Sequence, residues 1–150
     1  MEHRWEHATA GSLRVQHCLY REGDRPPAVK ILEVTPSKPG KHGSNKVLIK
    51  GDDLQTGRTW TGSYAVGDPV TVVHPHGSRH HVLDATEQAV DLKDTESQET
   101  ITVTSDQLCL GSLSIEAVHQ AITDGGEHSI KVTIFTPALY ALSDLRPAGD

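Results

Sequence analysis

The sequence predicts an all-β protein with one short helix, divided into two small domains. Three observations carry this expectation. Short β-branched segments recur along the chain between turns rich in Gly, Asp and Pro. A single stretch near residue 118 shows a helical period. The charge changes sign about halfway along. Hydrophobic residues make up 35% of the 150 residues and aromatics 4%, so two thin aliphatic cores suit the composition better than one large α/β core.

In chain order, strands are expected near residues 12–19, 28–34, 46–50, 58–62 and 69–73, with turns at Gly23-Asp24, Gly40, Gly51-Asp52 and Gly67-Asp68. Five short strands in about sixty residues suggest a small closed sheet. The run His74-Pro75-His76-Gly77-Ser78-Arg79-His80-His81 reads as a mobile linker at the domain boundary. Further strands follow near 81–84, 88–92 and 100–104. Ile115, Val118, His119 and Ile122 then fall at helical spacing, with Ser112 or Ser114 as N-cap and Gly125-Gly126 as terminator. Residues 129–135 alternate as a half-buried strand stopped by Pro137. Strands with one inserted helix fit an OB-fold barrel. Residues 1–10, including Trp5 with His3 and His7, and residues 144–150 read as frayed termini.

Residues 1–83 hold 11 Lys and Arg against 8 acids, and residues 84–150 hold 3 against 12. Five of the lysines, with one acid, lie within 30–50, so a basic patch able to attract phosphate backbones coexists with a net charge of −6. No apolar run approaches the ~20 residues that span a bilayer, and the start is not leader-like. Cys18 and Cys109 form no CxxC pair. Together these predict a soluble, unsecreted protein of a reducing, cytoplasmic compartment, with no membrane partner.

The densest information lies at Pro36-Ser37-Lys38-Pro39-Gly40-Lys41-His42-Gly43-Ser44-Asn45-Lys46. Lys41 sits between two glycines at the tip of a hairpin whose flanking strands are β-rich. A lysine so placed is presented outward and does not fill a core. A solvated turn explains the composition equally well. A phosphate-binding loop does not, because that pattern needs Ser or Thr after the lysine and a helix beyond it, whereas His42 and a strand follow.

The strings Ser37-Lys38-x-Gly40-Lys41-His42-Gly43, Lys46-Val47 and Asp53-Leu54-x-Thr56-Gly57-Arg58 resemble the translation factor 5A family, known as eukaryotic initiation factor 5A and related to bacterial elongation factor P. The resemblance is strongest from Leu13 to Arg58, roughly a third of the chain. Pro39 and Ser44-Asn45 depart from the family's usual Thr and His-Ala. The resemblance implies an N-terminal SH3-like barrel over 1–76, carrying the Lys41 loop, followed by a C-terminal OB-fold nucleic-acid-binding barrel over 77–150. It also implies that Lys41 becomes hypusine, the aminobutyl group coming from spermidine. Deoxyhypusine synthase and deoxyhypusine hydroxylase would be the modifying enzymes, with Gly40, His42 and Gly43 shaping the loop for them. Lys38 and Lys46 would contact RNA phosphates. The implied partners are the ribosome, ribosomal RNA and peptidyl-tRNA, and the implied role is non-enzymatic, helping peptide-bond formation at proline-rich stalls and elsewhere. Lys30 and Lys50, at the far ends of the hairpin strands, read equally well as ordinary exposed lysines.

Two other readings stay open on the residues alone. A general OB/SH3-like RNA-binding protein would keep Lys41 unmodified. A metal-binding interaction protein would use His74, His76, His80 and His81, although no Cys or carboxylate inside that cluster completes a site, so no metal is expected. No Gly-x-Ser-x-Gly elbow supports nucleophilic catalysis.

Overall fold

The computed structural model describes residues 5–37, 45–136 and 138–149. The chain forms two compact units, one ending at His74 and the other beginning at Pro75. The first contains β1 (Trp5–Thr9), a 3-10 turn (Ala10–Ser12), β2 (Cys18–Tyr20), β3 (Ala28–Ser37), β4 (Lys46–Asp53), β5 (Thr59–Ala65) and β6 (Pro69–Val73). They make one antiparallel sheet in the order β1-β6-β2-β3-β4-β5. In β4 the residues alternate strictly: Val47 and Ile49 point inward, Lys46, Leu48 and Lys50 outward. Leu13, Leu19, Ile31 and Val72 join Val47 and Ile49 in an aliphatic core, each fully buried side chain contributing about 1.5–3 kcal/mol.

Three expectations for this unit are corrected. The first strand does not begin at residue 12: Gln16 has φ 78°, and the His17 N–H donates to the Arg14 carbonyl at 3.2 Å, so residues 14–17 turn before β2 starts. Leu13 is buried and Val15 exposed, so the two do not share one face of a strand. Gly51-Asp52 is not a turn but part of β4. A Cβ on Gly51 would lie 2.5 Å from the Lys30 carbonyl oxygen, so glycine is there to let β3 come close. The register shifts beside it, between Ile31 and Glu33, which leaves Leu32 as an exposed bulge residue. The actual turn is Asp53–Arg58. There the Asp53 carboxylate accepts the Gln55 N–H and the Thr56 hydroxyl, each at 2.9 Å, and Gly57 takes φ 75°. Finally, residues 5–9 are not frayed. Trp5 through Thr9 pair with Val73 through Pro69, and the Trp5 ring lies 5.4 Å from that of Tyr20.

The second unit contains β7 (His76–Ala85), β8 (Ala89–Asp94), β9 (Thr100–Thr104), α1 (Ile115–Thr123), β10 (His128–Thr136) and β11 (Leu139–Pro147), with a 3-10 turn (Ser105–Gln107) after β9. The sheet order is β11-β10-β7-β8-β9. The helix covers a core of Val90, Leu92, Val103, Ile130, Val132 and Leu142 with Ile115 and Val118. Ser114 is its N-cap, accepting the Ala117 N–H at 3.1 Å, a contact worth about 1 kcal/mol. Ser112 has another task, accepting the Leu142 N–H at 2.8 Å. Gly125 and Gly126 leave the helix at φ 105° and 86°.

Residues 76–81 are not a linker. They open β7, the strand at the centre of this sheet, pairing with β10 from His76↔Ile134 to His81↔Ser129. The Lys131 side chain crosses Gly77, its Cε 2.7 Å from where a Cβ would stand. Nor is the tail frayed from residue 144, since β11 runs to Pro147 with Arg146 opposite Ser129. Its pattern is obscured by a bulge where Asp144 takes φ 50°. The fold class is therefore all-β with one short helix, an SH3-like sheet unit followed by an OB-type unit whose helix lies between its third and fourth strands.

Candidate functional site

The hairpin β3–β4 is paired from Val29↔Asp53 to Ser37↔Lys46, a length of roughly 30 Å at about 3.4 Å per residue. Lys38, Gly40, Lys41, His42 and Gly43, which lie between the two strands in sequence, fall outside the described residues. Their two anchors are well defined. On the β4 side, pairing with β5 continues to Lys46↔Ala65, and the Asn45 carbonyl then accepts the Val66 N–H at 3.1 Å. The Val66 carbonyl in turn accepts the Gly11 N–H at 2.9 Å. Two successive backbone hydrogen bonds thus tie the end of the hairpin to the 3-10 turn of the same unit.

Cross-strand neighbours separate the described lysines of this hairpin. Lys30 stands opposite Asp52, and Lys50 opposite Glu33 and Thr61. Lys46, exposed at the loop end, stands opposite Ser37 and Ala65. Its charge faces neutral residues, whereas the other two each face a carboxylate. A groove of about 430 Å³ opens at the same end, lined by Leu13, Arg14, Val15, Pro36, Val47 and Val66. Arg14 was not legible as part of this end of the hairpin, because chain-distant pairing brings it there, whereas Asn45 lies within the loop read from the sequence.

The histidines do not come together. The His74 ring bonds the Glu6 carboxylate at 2.9 Å. His80 is fully buried, while its neighbour His81 is exposed on the opposite face of β7 beside Lys93. Among the described residues no three His, Cys, Asp or Glu side chains are grouped to hold a metal. Burial pushes the Cys18 thiol up to about 12, with the Lys30 charge opposing, so it carries no thiolate at neutral pH. Among the described residues no helix is long and apolar enough to cross a membrane.

The described residues thus give an SH3-like unit with a long β3–β4 hairpin, followed by an OB-type unit. Residues 7–65 match the family described as translation initiation factor 5A-like, N-terminal. Among solved structures, the chain is similar to a translation initiation factor eIF-5A family protein from Naegleria fowleri, at 21% identity and TM-score 0.65, with 97% of this chain and 99% of that one covered. It is also similar to the eukaryotic translation initiation factor 5A from Methanococcus jannaschii, at 19% identity and TM-score 0.60, with 95% and 96% covered. No curated protein matches the sequence. The domain match over residues 7–65 and the shared two-unit fold bear out the resemblance to the translation initiation factor 5A family.

Proposed function

We propose that this protein binds the ribosome beside peptidyl-tRNA and presents a hypusine-modified Lys41 to the acceptor end, promoting peptide-bond formation at proline-rich stalls and in elongation and termination generally. The observation that carries this reading is the Gly40-Lys41-His42-Gly43 motif at the end of a long, firmly anchored β3–β4 hairpin, within a unit that matches the factor 5A-like N-terminal family. Aminobutylation and hydroxylation would turn one ammonium into a longer arm with two cationic nitrogens and a hydroxyl. Such an arm fits an RNA cavity too narrow for a loop. The benefit is positional: reacting groups held in line lose less entropy in the transition state. Bond making stays with ribosomal RNA, so this chain acts as a non-enzymatic factor.

In this account Gly40, His42 and Gly43 shape the loop for deoxyhypusine synthase and deoxyhypusine hydroxylase, and Lys38 and Lys46 hold phosphates. The protein would work in the cytoplasm, where ribosomes and spermidine meet. The test is translation of a proline-run reporter in cells depleted of the protein. Wild-type protein should restore it and Lys41→Arg should not, because arginine keeps the charge but cannot accept the aminobutyl group. Full rescue by the arginine variant would refute the reading.

A further inference from the structure

Residues 75–150 carry 12 acidic residues and four basic ones, Arg79, Lys93, Lys131 and Arg146. In so acidic a unit the four cations would be expected to lie scattered. Register places all four on one face of its sheet. Arg79 on β7 is directly opposite Lys131 on β10. His81, two residues along the same face, is opposite Lys93 on β8. Ser129, two residues from Lys131, is opposite Arg146 on β11. The other face carries Ile130, Val132 and Leu92 into the core, so the cations line the outer surface.

Asp144 organises the strip. Its positive φ at the β11 bulge is followed two residues on by Arg146, and its carboxylate joins two guanidinium groups. Arg79 donates to the Asp144 carbonyl at 2.7 Å and forms an ion pair with its carboxylate; Arg146 reaches the same carboxylate oxygen at 3.2 Å. Lys131 adds its charge to the field there. Three cations around one carboxylate leave two positive charges over, held in fixed directions. His81 and Lys93 also line a cavity of about 430 Å³ together with His128, Glu127 and apolar residues. Asp91, bonded by the Thr102 hydroxyl at 2.7 Å, and Asp84 opposite it mark where the strip ends.

We propose that this strip, Arg79, Lys131 and Arg146 with Lys93 at its margin, is an RNA-backbone binding site of the second unit. The proposal deepens the reading of the chain as a ribosome-bound factor and rests on it for the source of the RNA. Planar guanidinium forks match phosphate oxygens in pairs, and here two of them, on the strands that flank β10, are prearranged by one carboxylate. The site departs from the usual OB-fold surface over the second and third strands. In this chain those strands, β8 and β9, offer Asp91, Thr100 and Thr102 alongside Lys93, so phosphate is drawn instead to β7, β10 and β11.

The test uses the full chain made in bacteria, where Lys41 stays unmodified, and a fluorescently labelled RNA hairpin titrated at several salt concentrations. Lys131→Gln with Arg146→Gln should weaken binding about tenfold, and should flatten the dependence of log affinity on log salt by about 1.5, the loss of two phosphate contacts. Lys50→Gln, which removes one charge that faces Glu33, should flatten it less. Independently of any variant, RNA should shift the wild-type amide resonances of Arg79, Lys131 and Arg146. Unchanged affinity and slope, or amide shifts confined to the first unit, would overturn the proposal. Intact RNA binding with lost ribosome binding in the double variant would also overturn it, pointing to an acidic protein surface as the partner. An unmodified Lys41 in native cells leaves this result untouched, so the two readings fail separately.

Discussion

The Nε2 of His80 lies 3.9 Å from the Asp94 carboxylate with its imidazole wholly buried. The ring's Nδ1 is 3.3 Å from the Ser78 carbonyl and donates to it, so the neutral ring turns its acceptor nitrogen, Nε2, towards a carboxylate. Burial lowers the His80 pKa from its ordinary 6.5, with the Ser78 carbonyl and the Asp94 charge opposing. The unfolded chain therefore takes up this proton before the folded one does. Stability of the second unit should be full above about pH 6.5 and fall as the pH drops from there towards the folded value. Asp94 adds a second loss at lower pH. Burial pushes its carboxyl up, but the Ser97 and Glu96 N–H groups and the His80 charge outweigh this and hold it below 3.8. Its contribution is present above that value and disappears as the pH falls through the lowered one. Urea unfolding between pH 7 and 5.5 should show declining stability in the wild type and a flatter profile in His80→Leu. Identical profiles would remove His80 from this role.

Gly51 gives a prediction for the first unit. A Cβ at this position meets the Lys30 carbonyl oxygen at 2.5 Å, and a backbone atom inside a ladder has little room to move. Gly51→Ala should cost about 1–3 kcal/mol, the usual penalty for overpacking. It should lower the first unit's melting temperature while the second unit's transition stays in place. An unchanged melt would show that β3 and β4 can separate there without penalty.

Much of the fold was legible, for physical reasons that differ by element. In β4 and β10 the apolar residues alternate because one face of each strand is buried, and in α1 they follow the helical period for the same reason. Residues 5–9 gave no such signal, because backbone pairing with β6 and the exposed Trp5–Tyr20 contact hold them in place of an inward-facing row. The opening of β7 was hidden by Pro75 and Gly77. The first stands just before the strand, and the Lys131 side chain crosses the second. Of the candidate site, the motif around Lys41 could be read directly. The different surroundings of Lys30, Lys46 and Lys50 could not, since they depend on the bulge at Leu32 and the register it sets.

Those surroundings rank the hairpin lysines. Lys46→Ala should weaken ribosome binding several-fold, as expected when an exposed cation facing neutral neighbours loses a phosphate contact. Lys30→Ala and Lys50→Ala, which release Asp52 and Glu33 from cations opposite them, should change it far less. Ribosome co-sedimentation at two salt concentrations separates the three. Equal losses would mean that the hairpin acts only through its summed charge.

The central claim is that Lys41 carries the working group, and mass spectrometry of the peptide spanning it, from protein isolated from its native cells, tests this most directly. The account predicts a mass increase on Lys41 matching an aminobutyl group, with or without one further oxygen. An unmodified Lys41 in that material would contradict it and would leave a general RNA-binding protein of the same fold as the better description.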